Sequence, residues 1–352
     1  MQAPVPPLEK AWEFQADSSI REPGLTAAYN QIYFATKEGN IYALNATTGQ
    51  AKWAFKMGKA LELPLITAAD GLIFAASKDK NLYAINAKTG KVQWQFQADG
   101  EIHSPAISTE TIFFGCKDKK VYALNAKSGQ KLWETKVGHE KFTYPVIAYD
   151  KVLIGGDDDL FALDLNNGTT LWSVKNALWY RSLPVIANGF AFCCTKELPV
   201  IDLANGKEVE KMTFTSPIQK PDARELSHVD VVDGTLIATI NLAWSGQTWY
   251  DVKSMDVLCA WDVATRKEKW QLDLKGAALR WWEIAAPYIY WADMRDNKLV
   301  VIDTSNTARW DTESLSKGDI GKPVIAYGMV FVSCGKAVQA FRGYVGSSLQ
   351  SV

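Results

Sequence analysis

The stretch that decides the fold is YALNATTGQAKW, Tyr42 to Trp53, because it returns along the chain. YAINAKTGKVQW (Tyr83 to Trp94), YALNAKSGQKLW (Tyr122 to Trp133) and FALDLNNGTTLW (Phe161 to Trp172) align with it without a gap. Weaker copies follow. VIDLANGKEVE (Val200 to Glu210) carries Glu210 in the Trp slot. CAWDVATRKEKW (Cys259 to Trp270) carries Arg266 in the Gly slot. VIDTSNTARW (Val301 to Trp310) is one residue short. From Trp53 onward the spacings are 41, 39, 39, 38, 60 and 40 residues. A period near forty marks a repeat fold, and it outweighs a domain count taken from length.

Each unit reads as four short strands. In Leu61 to Trp94, an apolar run containing Pro64 reaches a turn at Asp70-Gly71. LIFAAS, a charged turn at Lys78-Asp79-Lys80, LYAIN, an Ala-Lys-Thr-Gly turn and VQWQF follow. These are β-branched and aromatic runs of strand length between turn residues, with no sustained helical period, so the class is all-β. In the motif A-x-[ND]-x-x-[TSN]-G-x-x-x-W, the Asn or Asp bonds its own backbone and holds the turn. The Gly (Gly49, Gly90, Gly129, Gly168, Gly206) suits a left-handed position. The Trp four residues later buries its ring against the neighbouring unit while its indole N–H reaches a backbone acceptor. A unit alone is too small to bury both faces of its sheet, so the units must stack.

The chain ends complete the count. WEFQAD (Trp12 to Asp17) nearly repeats WQFQAD (Trp94 to Asp99), so Trp12 lies on a fourth strand with no first three strands before it. AFRGYVG (Ala340 to Gly346) fits the motif as far as its Gly, but Gln350 stands where a Trp is expected. The N-terminal strand is therefore expected to complete the last unit and remove an open sheet edge. Eight slots result, at 12, 53, 94, 133, 172, 210, 270 and 310. The expected fold is an all-β, eight-bladed β-propeller of four-stranded antiparallel blades. One domain is expected over residues 10–346, with an N-terminal extension 1–9 and a tail 347–352.

The motif resembles the tryptophan-docking repeat of the pyrroloquinoline-quinone (PQQ)-type propellers, a family that includes the quinoprotein alcohol dehydrogenases and the BamB-like envelope-assembly proteins. The resemblance covers about residues 10–346. WD-repeat propellers fit less well. Their Gly-His signature is absent, and Trp261-Asp262 falls in the Leu44-Asn45 slot by register. The resemblance assigns Trp12, Trp53, Trp94, Trp133, Trp172, Trp270 and Trp310 to docking.

In the quinoprotein branch the resemblance implies PQQ held with Ca²⁺, acidic and Asn ligands, an Arg, a stacking Trp and a disulfide between adjacent cysteines. Cys193-Cys194 are adjacent, but the repeat places Cys194 level with Thr36, Ser77 and Cys116, inside a strand whose pleat points neighbours to opposite faces. The five cysteines (Cys116, Cys193, Cys194, Cys259, Cys334) all sit in apolar, strand-like contexts and read as buried small hydrophobes. No acidic ligand set stands out by spacing. Asp157-Asp158-Asp159 occupies the charged turn that holds Lys78-Asp79-Lys80 in another unit, and reads as a solvated hairpin. His103 and His139 fall in equivalent inter-blade segments. No phosphate loop or nucleophile motif is present. No catalytic residue, metal ligand or cofactor is therefore expected, and PQQ with Ca²⁺ belongs only to the dehydrogenase alternative.

Composition narrows the partners. With 38 Lys and Arg against 39 Asp and Glu, no basic field draws the chain to nucleic acid. No apolar run is long enough for a transmembrane helix, and a monomeric propeller is expected. MQAPVPPLEK lacks the basic and apolar regions of a signal peptide. A leader removed ahead of Met1 implies the cell envelope; a native Met1 implies the cytoplasm.

Departures from the repeat carry the functional reading. Of fourteen tryptophans, the seven outside docking slots (Trp179, Trp244, Trp249, Trp261, Trp281, Trp282, Trp291) all lie between residues 179 and 291. The 60-residue unit lies there too. Its excess splits between the segment after Glu210 and the second-to-third-strand connection around NLAWSGQTWYDVKSMDV. In a meander both connections emerge on one face, joined by NALWYRSLP and LRWWE. Trp261 and Trp291 sit in strand slots. Trp179, Tyr180, Arg181, Trp244, Trp249, Tyr250, Arg280, Trp281 and Trp282 make the candidate binding face, since aromatics with Arg are the composition of interface anchors. The competing reading is that these rings pack the channel or pin the inserted loop. The expected function is a non-catalytic protein-binding scaffold, BamB-like in envelope assembly, or a sensor domain of a larger protein. The alternatives are a PQQ-dependent dehydrogenase and a glycan-binding propeller.

Overall fold

The computed structural model describes residues 3–57, 66–103, 105–139, 144–178, 183–193, 195, 198–212, 223–244, 253–273, 279–294, 296–305 and 308–343. Every regular element among them is a strand. The strands form eight four-stranded antiparallel sheets, the blades of the propeller. Seven are consecutive meanders. In the eighth, Leu8–Gln15 pairs with Ala337–Gly343, which follows Val324–Ala326 and Met329–Cys334. Two compact units are distinguished. Met1–Met57 with Leu279–Val352 holds blades one, seven and eight, and Gly58–Ala278 holds blades two to six.

Register explains the motif. The slot residue always stands opposite the motif's first position: Trp12 faces Ala340, Trp53 Ala43, Trp94 Ala84, Trp133 Ala123, Trp172 Ala162, Glu210 Val200, Trp270 Ala260 and Trp310 Val301. In every blade but the seventh, the register slips at the residue just before the slot, as at Lys52, Gln93 and Leu132. This is a β-bulge, one residue of the fourth strand left unpaired. Blade seven, whose copy is one residue short, runs Ile302 to Arg309 and Val301 to Trp310 without a slip at this point. The deletion removes the bulged residue and keeps Trp310 in place.

The turns behave as their residues require. Asn45 Oδ1 accepts the N–H groups of Thr47 and Thr48, both at 2.9 Å, and the same capping recurs at Asn86, Asn125 and Asp164. At Asp262 the Thr265 backbone and hydroxyl donors hold the carboxyl below the usual carboxylate range. The motif Gly is left-handed, φ being 71° at Gly49 and 72° at Gly129. It is also where the preceding blade's anchor lies. An added Cβ at Gly129 would sit 2.7 Å from the Trp94 ring, at Gly168 2.5 Å from Trp133, at Gly206 2.7 Å from Trp172 and at Gly49 2.6 Å from Trp12. Each of these indoles donates to a backbone carbonyl at the start of the same turn, ahead of the glycine: Trp12 to Ala46 and Trp94 to Ala126 at 3.0 Å, Trp133 to Leu165 at 3.2 Å and Trp172 to Leu203 at 3.0 Å.

Second strands are buried on both faces, as in Gln31–Thr36 and Thr111–Cys116, because each sheet is sandwiched between neighbours. The apolar clusters accordingly join pairs of blades. Phe74 and Leu82 pack with Phe114 and Leu124, and Phe192 and Val200 with Leu236 and Trp261. Phe34 and Leu44 pack with Phe331 and Val338. Ring closure adds a polar network. Gln339, 1% exposed, donates to Glu13 at 2.8 Å and accepts the Ser316 N–H at 3.2 Å, while the Ser316 hydroxyl donates to Glu13 at 3.1 Å. Burial alone would raise the Glu13 pKa, but hydrogen bonds from Gln339, Lys10, Gln15 and Ser316 outweigh it and hold the carboxyl low.

The cysteine expectation is met in four places: Cys116, Cys193, Cys259 and Cys334 are buried free thiols. Cys194 lies outside the described residues. Cys193 itself follows the second strand of blade five, which ends at Phe192.

Three outcomes are expected. Gly129→Ala combines a left-handed φ with an indole contact and should lower stability by about 2–4 kcal/mol in denaturant unfolding. Gly71→Ala, at φ +75° with nothing within 4 Å, should cost only about 1 kcal/mol; equal losses would argue against the indole contact. Deleting residues 1–17 should leave Ala337–Gly343 as an open edge and produce aggregation by light scattering; a monomer with unchanged melting would contradict the closure. Burial pushes the Cys116, Cys259 and Cys334 thiols up to about 12. Alkylation mapped by mass spectrometry at mildly alkaline pH should therefore spare these three until the chain unfolds.

Candidate functional site

Blade six departs furthest from the repeat. Its first three strands, Ala223–Val232, Thr235–Trp244 and Lys253–Asp262, are ten residues each. In blade three the corresponding strands have three, six and six residues. The extra residues expected as loops are therefore mostly strand. Pairing continues from Val232↔Thr235 to Ala223↔Ala243, and from Thr235↔Asp262 to Trp244↔Lys253. The fourth strand, Glu268–Asp273, pairs only with Val257–Trp261. Among the described residues, the extension is thus three strands wide and carries Lys253–Asp256 along one edge. Alternation in β-rich stretches such as LIATINLAW favours continuing a hairpin over leaving a loop, since every added pair satisfies backbone donors and acceptors.

The predicted face divides into three groups. Trp179, Tyr180, Arg181, Trp249 and Tyr250 lie outside the described residues. Trp244 ends the second strand of blade six, on the extension. Arg280, Trp281 and Trp282 stand in a strand, Leu279–Ala285, rather than in a connecting loop. Trp282 is a correction: it pairs with Trp291 across the first two strands of blade seven, and both rings are fully buried. It packs the blade and presents nothing to a partner. Residues directly opposite in paired strands point to the same side of the sheet, so Trp282 shares the buried side of Trp291. Trp261 and Trp291 are buried, as their strand slots implied.

The remaining polar candidates have structural partners. His139 Nδ1 lies 2.8 Å from Asp157 Oδ2, its Nε2 lies 3.9 Å from Asp159, and its ring packs on Phe161 at 5.2 Å. In blades two and three the motif Tyr occupies the position of Phe161, and Tyr83 donates to Asp79 at 2.7 Å while Tyr122 donates to Asp118. Blade four has no hydroxyl there, and its charged turn bonds the histidine. Among the described residues no group of three or more His, Cys, Asp or Glu is placed to hold a metal ion. No helix among them is long and apolar enough to cross a membrane.

What sequence reasoning noted separately, the structure brings together. Glu210 and Arg266 were read as two independent losses from the motif. The Arg266 Nη1 lies 3.2 Å from Glu210 Oε2, and its guanidinium lies 4.5 Å from the centre of the Phe190 ring. The signal was available, because Trp12, Trp94, Trp133 and Trp172 each meet the turn of the following blade.

Comparison with known proteins places this geometry. Among curated proteins, none matches the sequence. Among solved structures, the computationally designed Ika8 protein superposes with a TM-score of 0.72 at 15% identity, covering 93% of this chain and 97% of its own. BamB from Moraxella catarrhalis gives 0.68 at 15% identity, covering 95% and 99%. A quinohemoprotein alcohol dehydrogenase from Pseudomonas putida gives 0.68 at 13% identity, covering 98% and 77%. These likenesses show the fold. The family model described as outer membrane protein assembly factor BamB matches residues 9–212, more than half of the sequence and blades one to five with the closing strand. By that match, this chain belongs to the BamB family of PQQ-like propellers.

Proposed function

We propose that this chain is a non-catalytic scaffold for a protein partner, working in the assembly of outer membrane proteins in the cell envelope. The observation that carries the reading is blade six. A repeat that needs only short strands to close the ring has here grown three ten-residue strands. The added length does nothing for the docking register, which Trp270 keeps against Ala260. An extended sheet with an edge at Lys253–Asp256 offers backbone hydrogen bonds to an incoming strand. Trp244 on the extension, and Arg280 and Trp281 at the start of blade seven, add the residue types that anchor interfaces. Trp179, Tyr180, Arg181, Trp249 and Tyr250 belong to the same proposed face by their place in the repeat. Family membership supports the reading, since the matching model bears an assembly-factor description.

The fold likeness to a quinohemoprotein alcohol dehydrogenase supplies the competing reading, a PQQ- and Ca²⁺-dependent dehydrogenase. The experiment separates them. Replacing residues 241–256 with a two-residue Asn-Gly turn restores an ordinary blade, and Trp281→Ala removes one anchor. Binding to a purified outer-membrane barrel-assembly complex, measured by titration calorimetry, should weaken at least about tenfold in each variant, near 1.4 kcal/mol, with far-UV signal and melting retained. Full affinity in both variants would overturn the scaffold reading. A stoichiometric quinone absorbance shift with dye reduction on adding PQQ and Ca²⁺ would replace it with the dehydrogenase.

A further inference from the structure

Four junctions between consecutive blades share one construction: Trp12 on Gly49, Trp94 on Gly129, Trp133 on Gly168 and Trp172 on Gly206. At each, a Cβ on the glycine would come within 2.5–2.7 Å of the ring, closer than real Cβ contacts allow. At these four turns a residue other than glycine would clash with the ring. Between blades five and six both members have changed. Arg266 holds the turn at φ 57°, and Glu210 holds the slot. Both changes fall at one junction, and an ion pair joins them. The guanidinium of Arg266 reaches back to blade five, gripping the Glu210 carboxylate at 3.2 Å and covering the Phe190 ring at 4.5 Å. Its Nε is buried without a hydrogen bond, so the grip rests on Nη1 and the ring.

We propose that the junction of blades five and six is an ionic-strength-responsive seam, closed by Arg266 on Glu210 and Phe190 and loosened by salt, beside the extended blade. The physical basis is the contrast with its neighbours. An indole packed on a glycine gains from burial, which salt does not weaken. The Arg266 and Glu210 side chains are 23% and 40% exposed, so dissolved ions reach them, and screening shortens their attraction from a range of about 10 Å at 0.1 M to about 3 Å at 1 M. The apolar contact that remains, Phe192, Val200, Val229 and Leu236 among others, keeps the two blades joined while the rim opens. Opening would free the fourth strand of blade five and the adjacent turn of blade six, Glu208–Met212 and Asp262–Arg266. The seam would thus let ionic conditions alter how blade six stands on blade five.

Hydrogen exchange with mass spectrometry reads the seam directly in the unmodified chain. Raising NaCl from about 0.02 M to about 0.5 M should speed exchange at Glu208–Met212 roughly two- to fivefold. Lys131–Lys136, on the Trp133 junction, should not change and serves as the internal reference. In the double variant Glu210→Trp with Arg266→Gly, which restores the common construction, the salt effect should vanish. Glu210→Arg and Arg266→Glu should each lower the melting temperature, and their combination should recover most of the loss. Salt-independent exchange at Glu208–Met212, an equal response at Lys131–Lys136, or a charge-swapped double variant no better than the sum of its singles would each overturn the seam.

Discussion

A tryptophan lying on a glycine of the following blade is the contact on which the rest of this molecule depends. It imposes two conditions at once. The turn residue must adopt φ near +70°, and it must carry no Cβ, because the ring occupies that space. The indole N–H then reaches the carbonyl at the start of the turn. One contact therefore sets the turn conformation, the spacing of the slot and the approach of neighbouring sheets. Burying each ring is worth about 2–3 kcal/mol, and repetition turns a modest term into the main lateral cohesion of a repeat protein.

The β-bulge before the slot belongs to the same constraint. Without it, a four-residue step from the glycine would carry the Trp to the wrong side of its sheet, since side chains alternate along a strand. The bulge absorbs one residue and returns the ring to the neighbour. Blade seven reaches the same register by deleting that residue, so Trp310 still faces Val301. Two different lengths of chain satisfy one geometry.

Where the contact is absent, the chain has spent its freedom on something else. The Glu210 and Arg266 pair replaces a ring with charges at the entrance to blade six, whose first three strands reach ten residues each. Regularity in blades one to four thus describes cohesion, and the departures from it begin at blade five. Closure is treated differently again. The N-terminal strand completes blade eight with a network of Glu13, Ser316 and the buried Gln339, in which directional hydrogen bonds specify the pairing of the two strands.

The sequence alone determined the class, the blade count, the slots, the turn glycines and the closing strand, because each is dictated locally: a period, a turn that needs a capping Asn, a left-handed glycine, a bulky ring at fixed distance. Tertiary structure decided the rest. Trp282 looked like an exposed anchor until strand pairing set it against buried Trp291, for exposure is a property of neighbours and not of composition. The insertion in blade six read as loops, but its described residues continue the strands, because cross-strand pairing joins residues distant along the chain, such as Ala223 with Ala243 and Leu242 with Met255. Glu210 and Arg266 read as two separate defects and became one ion pair, because only the packing of one blade on the next brings a slot and a turn from different repeats within bonding distance.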